Sequence, residues 1–268
     1  MTTAGEAFDS EFRLRLADAG QLALTLGQAL PESVPGDRFP DATVYRLLAA
    51  AQPLYHGAIF TLSDPDTSLA ALVLMRSLIE TWAHLFFIAD NGNMTGSDWR
   101  ALQLERGWVS ELVGIAKAAL ASGLSDSLTK AESRRRDVNE VWARHRCSGK
   151  ARSYDDVSHT LKEIEETYPE INWLNVAWRT AASMAHGGGW DWVITDQGDG
   201  VSALTVPGPA HRASRLNHLV VLFGNIGNAT LFLLGVDLGN PKARAFNDAV
   251  QALLDDRFLL TAIDGAFD

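Results

Sequence analysis

The chain has 268 residues, with 23 Lys and Arg against 33 Asp and Glu, so its formal charge is −10 with histidine neutral. A chain of this length can bury a core without disulfides or structural metals. The single cysteine, Cys147, excludes a disulfide framework within one chain. The acidic balance excludes sequence-blind coating of nucleic acid. The first residues lack the basic-then-apolar pattern of a signal peptide, so we expect a cytoplasmic protein.

Apolar residues recur at three- and four-residue steps along most of the chain, which predicts amphipathic helices. The first predicted helix covers 6–29. The second begins near Ala42, and Pro53 is expected to kink or restart it. The segment SDPDTS then provides a cap and a first-turn proline for a strongly apolar helix over 67–89.

The second half of the chain continues the helical pattern. Further helices are predicted over 97–120, 125–146, 153–168, 171–186, 209–234 and 241–260. The glycines after His186 destabilise a helix because they lose much conformational entropy in it, so we expect His186 in a last helical turn. The run 218–235 is about as long as a membrane span, but Asn225 and Asn228 interrupt it. With Gly224 and Gly227 on a small-residue face, it predicts a buried core helix that a neighbouring helix approaches closely.

The stretch 190–207 has a different period. Trp190, Trp192 and Ile194 occupy alternate positions, and Asp199-Gly200 is a hairpin turn signal. We therefore predict an all-α fold, a mainly α-helical bundle in a single domain over 1–268, with one added β-hairpin inserted at 190–207.

Motifs for cofactors and metals are missing from the sequence. It has no Gly-rich phosphate loop, no dinucleotide fingerprint, no Cys-x-x-Cys pair, no His-Glu-x-x-His and no Gly-x-Ser-x-Gly. We therefore expect no cofactor and no metal.

One polar stripe lies inside the most apolar predicted helix. Arg76, Glu80 and His84 stand at i, i+4 and i+8, and charges in such a setting need partners. One interpretation is an Arg76–Glu80 pair that also links to a neighbouring helix. Another is a polar pocket or a support for a catalytic group. Metal binding by Glu80 and His84 would need a third ligand, and His186 is the obvious choice.

A second polar face lies in the segment WRTAASMAHGGGW. Arg179 and His186 are seven residues apart, nearly two helical turns, so both project from one face about 10 Å apart along the axis. Ser183 lies between them on that face. The alternative is that His186 only caps the helix and Arg179 binds a carboxylate.

Together these residues resemble the HEPN superfamily of small helical-bundle proteins. The resemblance covers about 40–240 and rests on Arg179-x6-His186 and on two shorter motifs. Those are Arg76-Ser77-x-x-Glu80 and Ser183-x-x-His186-Gly187, as in bacterial HEPN-like proteins.

The resemblance implies a metal-independent endoribonuclease that acts as a homodimer in toxin–antitoxin or antiviral defence systems, with an antitoxin or another protein as a possible partner. His186 would be the general base on a ribose 2′-hydroxyl, and Arg179 would stabilise charge on the phosphate. Ser183, Arg76 and Glu80 would complete the catalytic site. Thr180 stands where the family usually has Asn, Asp or His, so a non-cleaving, RNA-binding member is an alternative.

A basic segment bears on RNA binding. Over 134–152, seven basic and two acidic side chains give a local charge of +5. Such a segment can track a phosphate backbone, and an aromatic ring such as that of Trp190 can stack on a base. The alternatives are a solvated surface that pairs with the acidic segment 155–170, and a tryptophan in the core. The candidate substrate-binding residues are Arg134, Arg135, Arg136, Arg144, Arg146 and Trp190.

A different class of function also fits the sequence. It is a non-catalytic helical module that binds a small ligand or a partner protein through a polar pocket around Arg76, Glu80 and His186. We expect no membrane contact in either case.

Overall fold

The structure is a computed structural model that describes residues 4–32, 39–90, 94, 96–123, 127–144, 154–186, 194–196, 202–204 and 207–266. Within these ranges the chain is almost wholly helical, which confirms the all-α class. The helices are α1 (Ala4–Ala29), α2 (Phe39–Leu62), α3 (Ala70–Ala89), α4 (Ser97–Ala121), α5 (Leu128–Arg144), α6 (Val157–Thr167), α7 (Leu174–Ala185), α8 (Pro209–Leu233), α9 (Pro241–Leu254) and α10 (Arg257–Ile263).

The core is centred on α8, which packs against α1, α2, α3, α9 and α10. Its apolar side chains, among them Leu219, Phe223 and Ile226, are fully buried. The predicted buried helix at 218–235 is therefore confirmed. Both α3 and α8 are long and apolar enough to cross a membrane, and 61% of each such segment is buried inside the bundle. Their hydropathy is also that of core helices in a bundle, so it does not decide where the protein resides.

Small residues on α8 allow α9 to approach closely, as the sequence predicted. A Cβ atom at Gly227 would overlap the ring of Phe246, and one at Gly224 would lie 3.0 Å from Cγ1 of Val250. Overlap of this kind forces neighbouring atoms to move. The packing of α8 on α9 therefore requires glycine at 227, whereas the helical backbone conformation there does not.

Several predicted helix boundaries are wrong; α7, for example, begins at Leu174 rather than at 171, after a 3₁₀ turn over Pro169–Ile171. The second helix continues through the exposed Pro53 without a break. The apolar helix begins at Ala70 rather than near 67, because Pro65–Thr67 forms a separate 3₁₀ turn that Asp64 caps. The last predicted helix is divided at Asp256, whose carboxylate accepts from the Leu259 N–H at 3.0 Å and starts α10.

Two short strands lie within the segment predicted as a hairpin. Ile194–Asp196 (β1) pairs antiparallel with Ser202–Leu204 (β2), with Ile194 opposite Leu204. The predicted turn at Asp199-Gly200 and the side chain of Trp190 lie outside the described residues.

Candidate functional site

The packing of α7 on α3 builds a polar cluster around Glu80. Oε1 of Glu80 accepts hydrogen bonds from Nε of Arg76 and from Nε1 of Trp178, each at 3.0 Å. Arg76 and Glu80 are each 28% exposed, so the pair is partly shielded from water. The predicted pair on α3 that also links to a neighbouring helix is therefore confirmed.

Arg76 also reaches the end of α7. Its NH1 lies 3.4 Å from Nε2 of His186. Since a guanidinium only donates, this contact requires an unprotonated Nε2, with the proton of the neutral ring on Nδ1. His186 is exposed and caps α7, because its backbone N–H bonds to the carbonyls of Ala182 and Ser183. Arg76, Glu80 and His186 thus form one contiguous chain of contacts at the protein surface.

Arg179 has different partners. Its Nε donates to Oδ1 of Asn175 at 3.1 Å, and its NH2 donates to Oγ of Ser158 on α6 at 3.2 Å. No contact joins Arg179 to His186, although both are described and exposed. Ser183 is exposed as well, and only its backbone carbonyl meets His186. Of the five predicted catalytic residues, the structure therefore links Arg76, Glu80 and His186 directly and leaves Arg179 and Ser183 beside them.

A second polar feature is a cleft of about 330 Å³ between α2, α3 and α4, which we call the α2–α3–α4 cleft. Its polar lining is formed by Ser77, Glu80, Thr81 and His84 of α3 and Arg46 of α2, and Trp108 of α4 closes one side. Glu80 therefore borders both the cleft and the contact chain with Arg76 and His186.

His84 is held in an apolar setting within this cleft. Its ring meets the edge of Trp108 at 5.5 Å and lies 5.6 Å from the ring of Tyr154. Burial lowers the pKa of His84 to about 4, against the opposing effect of the Glu80 carboxylate. His84 is therefore neutral near pH 7. No group of three metal-ligating side chains occurs among the residues that the structure describes, so it does not assemble Glu80, His84 and His186 as a metal site.

Arg46 is fixed at the rim of the cleft by a buried carboxylate. Glu105, only 1% exposed, accepts from Arg46 NH2 at 2.6 Å and from Thr43 Oγ1 at 3.2 Å. Arg134 reaches the same carboxylate at 3.3 Å. Two arginines therefore share one buried acid beside the cleft.

Two of the predicted RNA-binding arginines already pair with carboxylates of the protein. Arg134 binds Glu105, and Arg144 pairs with Glu140 at 3.3 Å on the exposed face of α5. Arg135 and Arg136 form no hydrogen bond or ion pair with any part of the chain that is described. Arg146 and Trp190 lie outside the described residues. Among the described residues, α5 packs mainly against α4, whereas α7 packs mainly against α3 and α6, so Arg134, Arg135, Arg136 and Arg144 lie on a helix that does not pack closely against α7.

Sequence reasoning missed the role of four side chains. Trp178 stood out only as one of several tryptophans near Arg179, and its bond to Glu80 spans 98 residues. Arg46 and Glu105 are 59 residues apart and carry no local signal. Ser158 looked like part of a solvated helix.

Comparison of the chain with protein-family models, with curated proteins and with solved structures finds no match. The function therefore has to be inferred from the geometry of its own residues. The contact between Arg76 and His186 is the feature with the clearest chemical meaning, because it places a guanidinium 3.4 Å from an exposed imidazole.

Proposed function

We propose that the protein is a HEPN-like, metal-independent endoribonuclease whose active site is centred on His186 and Arg76. The observation that carries this proposal is the 3.4 Å contact between Arg76 NH1 and His186 Nε2 at an exposed helix end. A base and a guanidinium this close can engage the 2′-hydroxyl and the adjacent phosphate of one RNA linkage.

The reaction needs no divalent ion. When RNA binds, Arg76 NH1 turns from Nε2 of His186 to a phosphate oxygen, and the freed Nε2 takes the proton of a ribose 2′-hydroxyl. The 2′-oxygen forms a bond to phosphorus, and the bond from phosphorus to the 5′-oxygen breaks. The leaving oxygen takes a proton from solvent or from protonated His186. Arg76 stabilises the charge that develops on the phosphate oxygens. The products are a 2′,3′-cyclic phosphate and a 5′-hydroxyl.

Glu80 and Trp178 act as positioning residues. Glu80 binds Nε of Arg76 at 3.0 Å, which fixes the plane of the guanidinium and leaves its terminal nitrogens able to turn from His186 to the phosphate. Trp178 bonds to the same Oε1 and so ties this arrangement to α7. Arg179, exposed two turns before His186, supplies a second phosphate contact once it leaves Asn175 and Ser158.

The remaining features follow from the same resemblance. We propose a cytoplasmic homodimer of a toxin or antiviral defence system, with RNA as substrate and an antitoxin as a possible partner, and no membrane contact. The HEPN-like bundle would carry one hairpin at 190–207, with β1 and β2 as its paired strands. A member that binds RNA without cleaving it would use the same site, and Thr180 bears on that choice.

The test is incubation of the purified protein with mixed RNAs in EDTA. We expect cleavage by the wild-type protein. In His186→Ala and in Arg76→Ala the cleavage rate should fall about 100-fold or more, since general-base catalysis and electrostatic stabilisation each contribute a factor of this size. Arg179→Ala is expected to weaken RNA binding more than the rate of the bound complex.

Matched controls are available. His211 is an exposed histidine on α8 and Arg13 an exposed arginine on α1, so His211→Ala and Arg13→Ala test for general effects of losing either side chain. A DNA strand of the same sequence lacks the 2′-hydroxyl and must stay intact. Cleavage of that DNA, or equal RNA cleavage by His186→Ala, would contradict the proposed site.

A second function is favoured by the α2–α3–α4 cleft. Its volume of about 330 Å³, its polar residues and the aromatic face of Trp108 fit a small ligand. In this case the protein is a non-catalytic binding module, and Arg46 favours a ligand with a negative group. Such a module would leave RNA intact, and its melting temperature would rise with that ligand but not in Arg46→Ala.

A further inference from the structure

The α2–α3–α4 cleft opens directly beside the proposed catalytic pair. Arg76, Glu80 and His84 stand four residues apart on α3, so each is turned about 40° around the helix from the one before it. Arg76 therefore meets His186 of α7, whereas His84 meets α4. Glu80 lies between these two sides, where it borders the cleft and also holds the guanidinium of Arg76. A molecule in the cleft thus lies next to the proposed reacting groups.

Three polar side chains of α3 on the wall of the cleft have hydrogen-bonding atoms to offer. Oγ of Ser77, Oε2 of Glu80 and the ring nitrogens of His84 form no hydrogen bond with any residue that the structure describes. Each of these atoms keeps surface that is accessible to solvent. Since the three side chains line the cleft, a molecule bound there can form hydrogen bonds with them.

These atoms present a defined pattern of donors and acceptors. The carboxylate of Glu80, ion-paired with Arg76, only accepts hydrogen bonds. The hydroxyl of Ser77 donates or accepts, and the neutral ring of His84 has one donor and one acceptor. An acceptor at the centre of the row favours a ligand with an N–H group there, and disfavours one with a lone pair at that place.

Among the bases of RNA, guanine fits this pattern best. Its Watson–Crick edge carries the O6 acceptor, the N1–H donor and the N2 amino donor in a row, and single-stranded bases are read on such edges. Adenine and cytosine have an unprotonated ring nitrogen at the central position, and uracil has no amino donor beside its ring N–H. The order Ser77, Glu80, His84 along α3 matches the order O6, N1, N2 along the edge of guanine.

We propose that the α2–α3–α4 cleft is the base-binding site of the ribonuclease proposed above and that it selects guanine; this inference rests on that proposed function. Glu80 accepts from N1–H, His84 accepts from the amino group, and Ser77 donates to O6. Trp108 supplies an aromatic surface for the base. The cleft volume of about 330 Å³ lies within the range of ligand pockets and admits a purine.

The position of the cleft also fixes which nucleotide it reads. Two nitrogens of one guanidinium join Glu80 and His186, with contacts of 3.0 Å and 3.4 Å. A nucleotide whose base meets Glu80 therefore reaches His186 with its own 2′-hydroxyl. Cleavage then follows guanosine, and the cyclic phosphate forms on that nucleotide.

Equilibrium dialysis with guanosine 3′-phosphate tests the site without any cleavage. The matched probe is N1-methylguanosine 3′-phosphate, which has the same phosphate and sugar but no N1–H donor. The proposal predicts saturable binding of guanosine 3′-phosphate, about tenfold or more tighter than that of the methylated probe, since a hydrogen bond to a charged acceptor contributes a factor of this size. No binding of guanosine 3′-phosphate, or equal affinity for the two probes, would overturn the proposal.

Variants locate the site and its central contact. Glu80→Gln replaces a carboxylate oxygen by an amide donor, so we expect it to abolish the preference over the methylated probe. Ala50→Phe fills the cleft and should weaken the binding of both probes about tenfold or more, because it removes the space for the base. Ala49→Phe is the matched control, because Ala49 is also exposed on α2 but does not line the cleft.

An unchanged preference in Glu80→Gln, or wild-type affinity in Ala50→Phe, would contradict the proposal. If Glu80→Gln does not fold, the two probes on the wild-type protein still decide the outcome.

The sequence of the RNA ends separates failure of the base-binding site from failure of the ribonuclease. In EDTA we expect the 2′,3′-cyclic phosphates to lie mainly on guanosine. Cyclic phosphates spread equally over the four nucleotides would overturn the base-binding site and leave the ribonuclease standing. Intact RNA together with the preference for guanosine 3′-phosphate would contradict the ribonuclease and leave the guanine site standing.

Discussion

The guanidinium of Arg76 lies 3.4 Å from Nε2 of His186, although 110 residues separate them in the chain. Arg76 belongs to the most apolar helix of the bundle and His186 to the exposed end of α7, so packing of the two helices creates the pair. An arginine only donates, so as a hydrogen bond this contact fits the tautomer with its proton on Nδ1. Nε2 becomes available as a general base once Arg76 turns to a phosphate oxygen.

The protonation of His186 can be observed directly. We predict that ¹⁵N NMR at neutral pH finds the proton of neutral His186 on Nδ1, because Arg76 donates to Nε2. In Arg76→Ala the ring loses this donor, and the tautomer ratio moves toward the Nε2–H form. His211, exposed on α8, should not respond to the substitution. A wild-type ring with its proton on Nε2 would contradict the contact.

Glu80 is expected to stabilise the fold as well as the site. Glu80→Ala removes the acceptor of both Arg76 Nε and Trp178 Nε1, so the free energy of unfolding should fall by about 1–3 kcal/mol in urea denaturation.

The matched control is Glu140→Ala, which breaks another i, i+4 pair with an arginine. There Glu140 is 69% and Arg144 is 74% exposed, so the change should stay within about 0.5 kcal/mol. Equal effects of the two substitutions would show that Glu80 has no tertiary role.

The sequence predicts the local part of this site but not its tertiary part. The Arg76–Glu80 pair follows from i, i+4 spacing on one helix, and the end of α7 at His186 follows from the glycines after it. The bond from Trp178 to Glu80 and the turn of Arg179 toward Ser158 depend on how α6, α7 and α3 pack. No residue spacing encodes that packing, so the sequence predicts the shared helix face of Arg179 and His186 but not the partners of Arg179.

For the fold, too, the sequence predicts local features better than long-range contacts. Helical periodicity predicted most helices within a few residues, and the small face of α8 predicted the close contact with α9. The break at Asp256 was missed because its carboxylate both caps α10 and binds Arg15, 241 residues away. Long-range partners of this kind override a continuous apolar pattern.

The crossing of α8 and α9 gives a test by substitution of glycine. Gly227→Ala should destabilise the protein by about 1–3 kcal/mol, because the new methyl group overlaps the ring of Phe246. Gly20→Ala on α1 meets nothing within 4 Å and should stabilise by up to about 1 kcal/mol through helix propensity. Opposite signs in thermal or urea unfolding confirm the crossing, whereas a gain in both variants would refute it.

Two partly buried histidines make stability depend on pH. Burial lowers the pKa of His84 to about 4, and burial with the nearby Arg215 lowers that of His218 to about 4. The unfolded value is about 6.5, so between pH 6.5 and 4 the unfolded chain binds more protons. The free energy of unfolding therefore falls as the pH drops through this range, and these groups have little effect above it.

The measurement is urea denaturation at pH 7 and pH 5. Each histidine should contribute a loss of about 2 kcal/mol at pH 5. His84→Phe keeps an aromatic ring against Trp108 and should reduce the pH-dependent loss by about that amount. The exposed His211 serves as control, and His211→Gln should leave the loss unchanged. If the free energy of unfolding of His84→Phe fell between pH 7 and pH 5 by as much as that of the wild type, the account of His84 would be wrong.

The most direct test of the proposed site is mass spectrometry of the RNA ends formed in EDTA. Transfer of the phosphate to the 2′-oxygen leaves a cyclic phosphate, which is lighter by one water than the linear phosphate that hydrolysis would give. The account predicts cyclic-phosphate ends from the wild type and from His211→Ala, with none above background from His186→Ala or Arg76→Ala. Intact RNA with the wild type, or cyclic-phosphate ends at the wild-type level in His186→Ala, would contradict it.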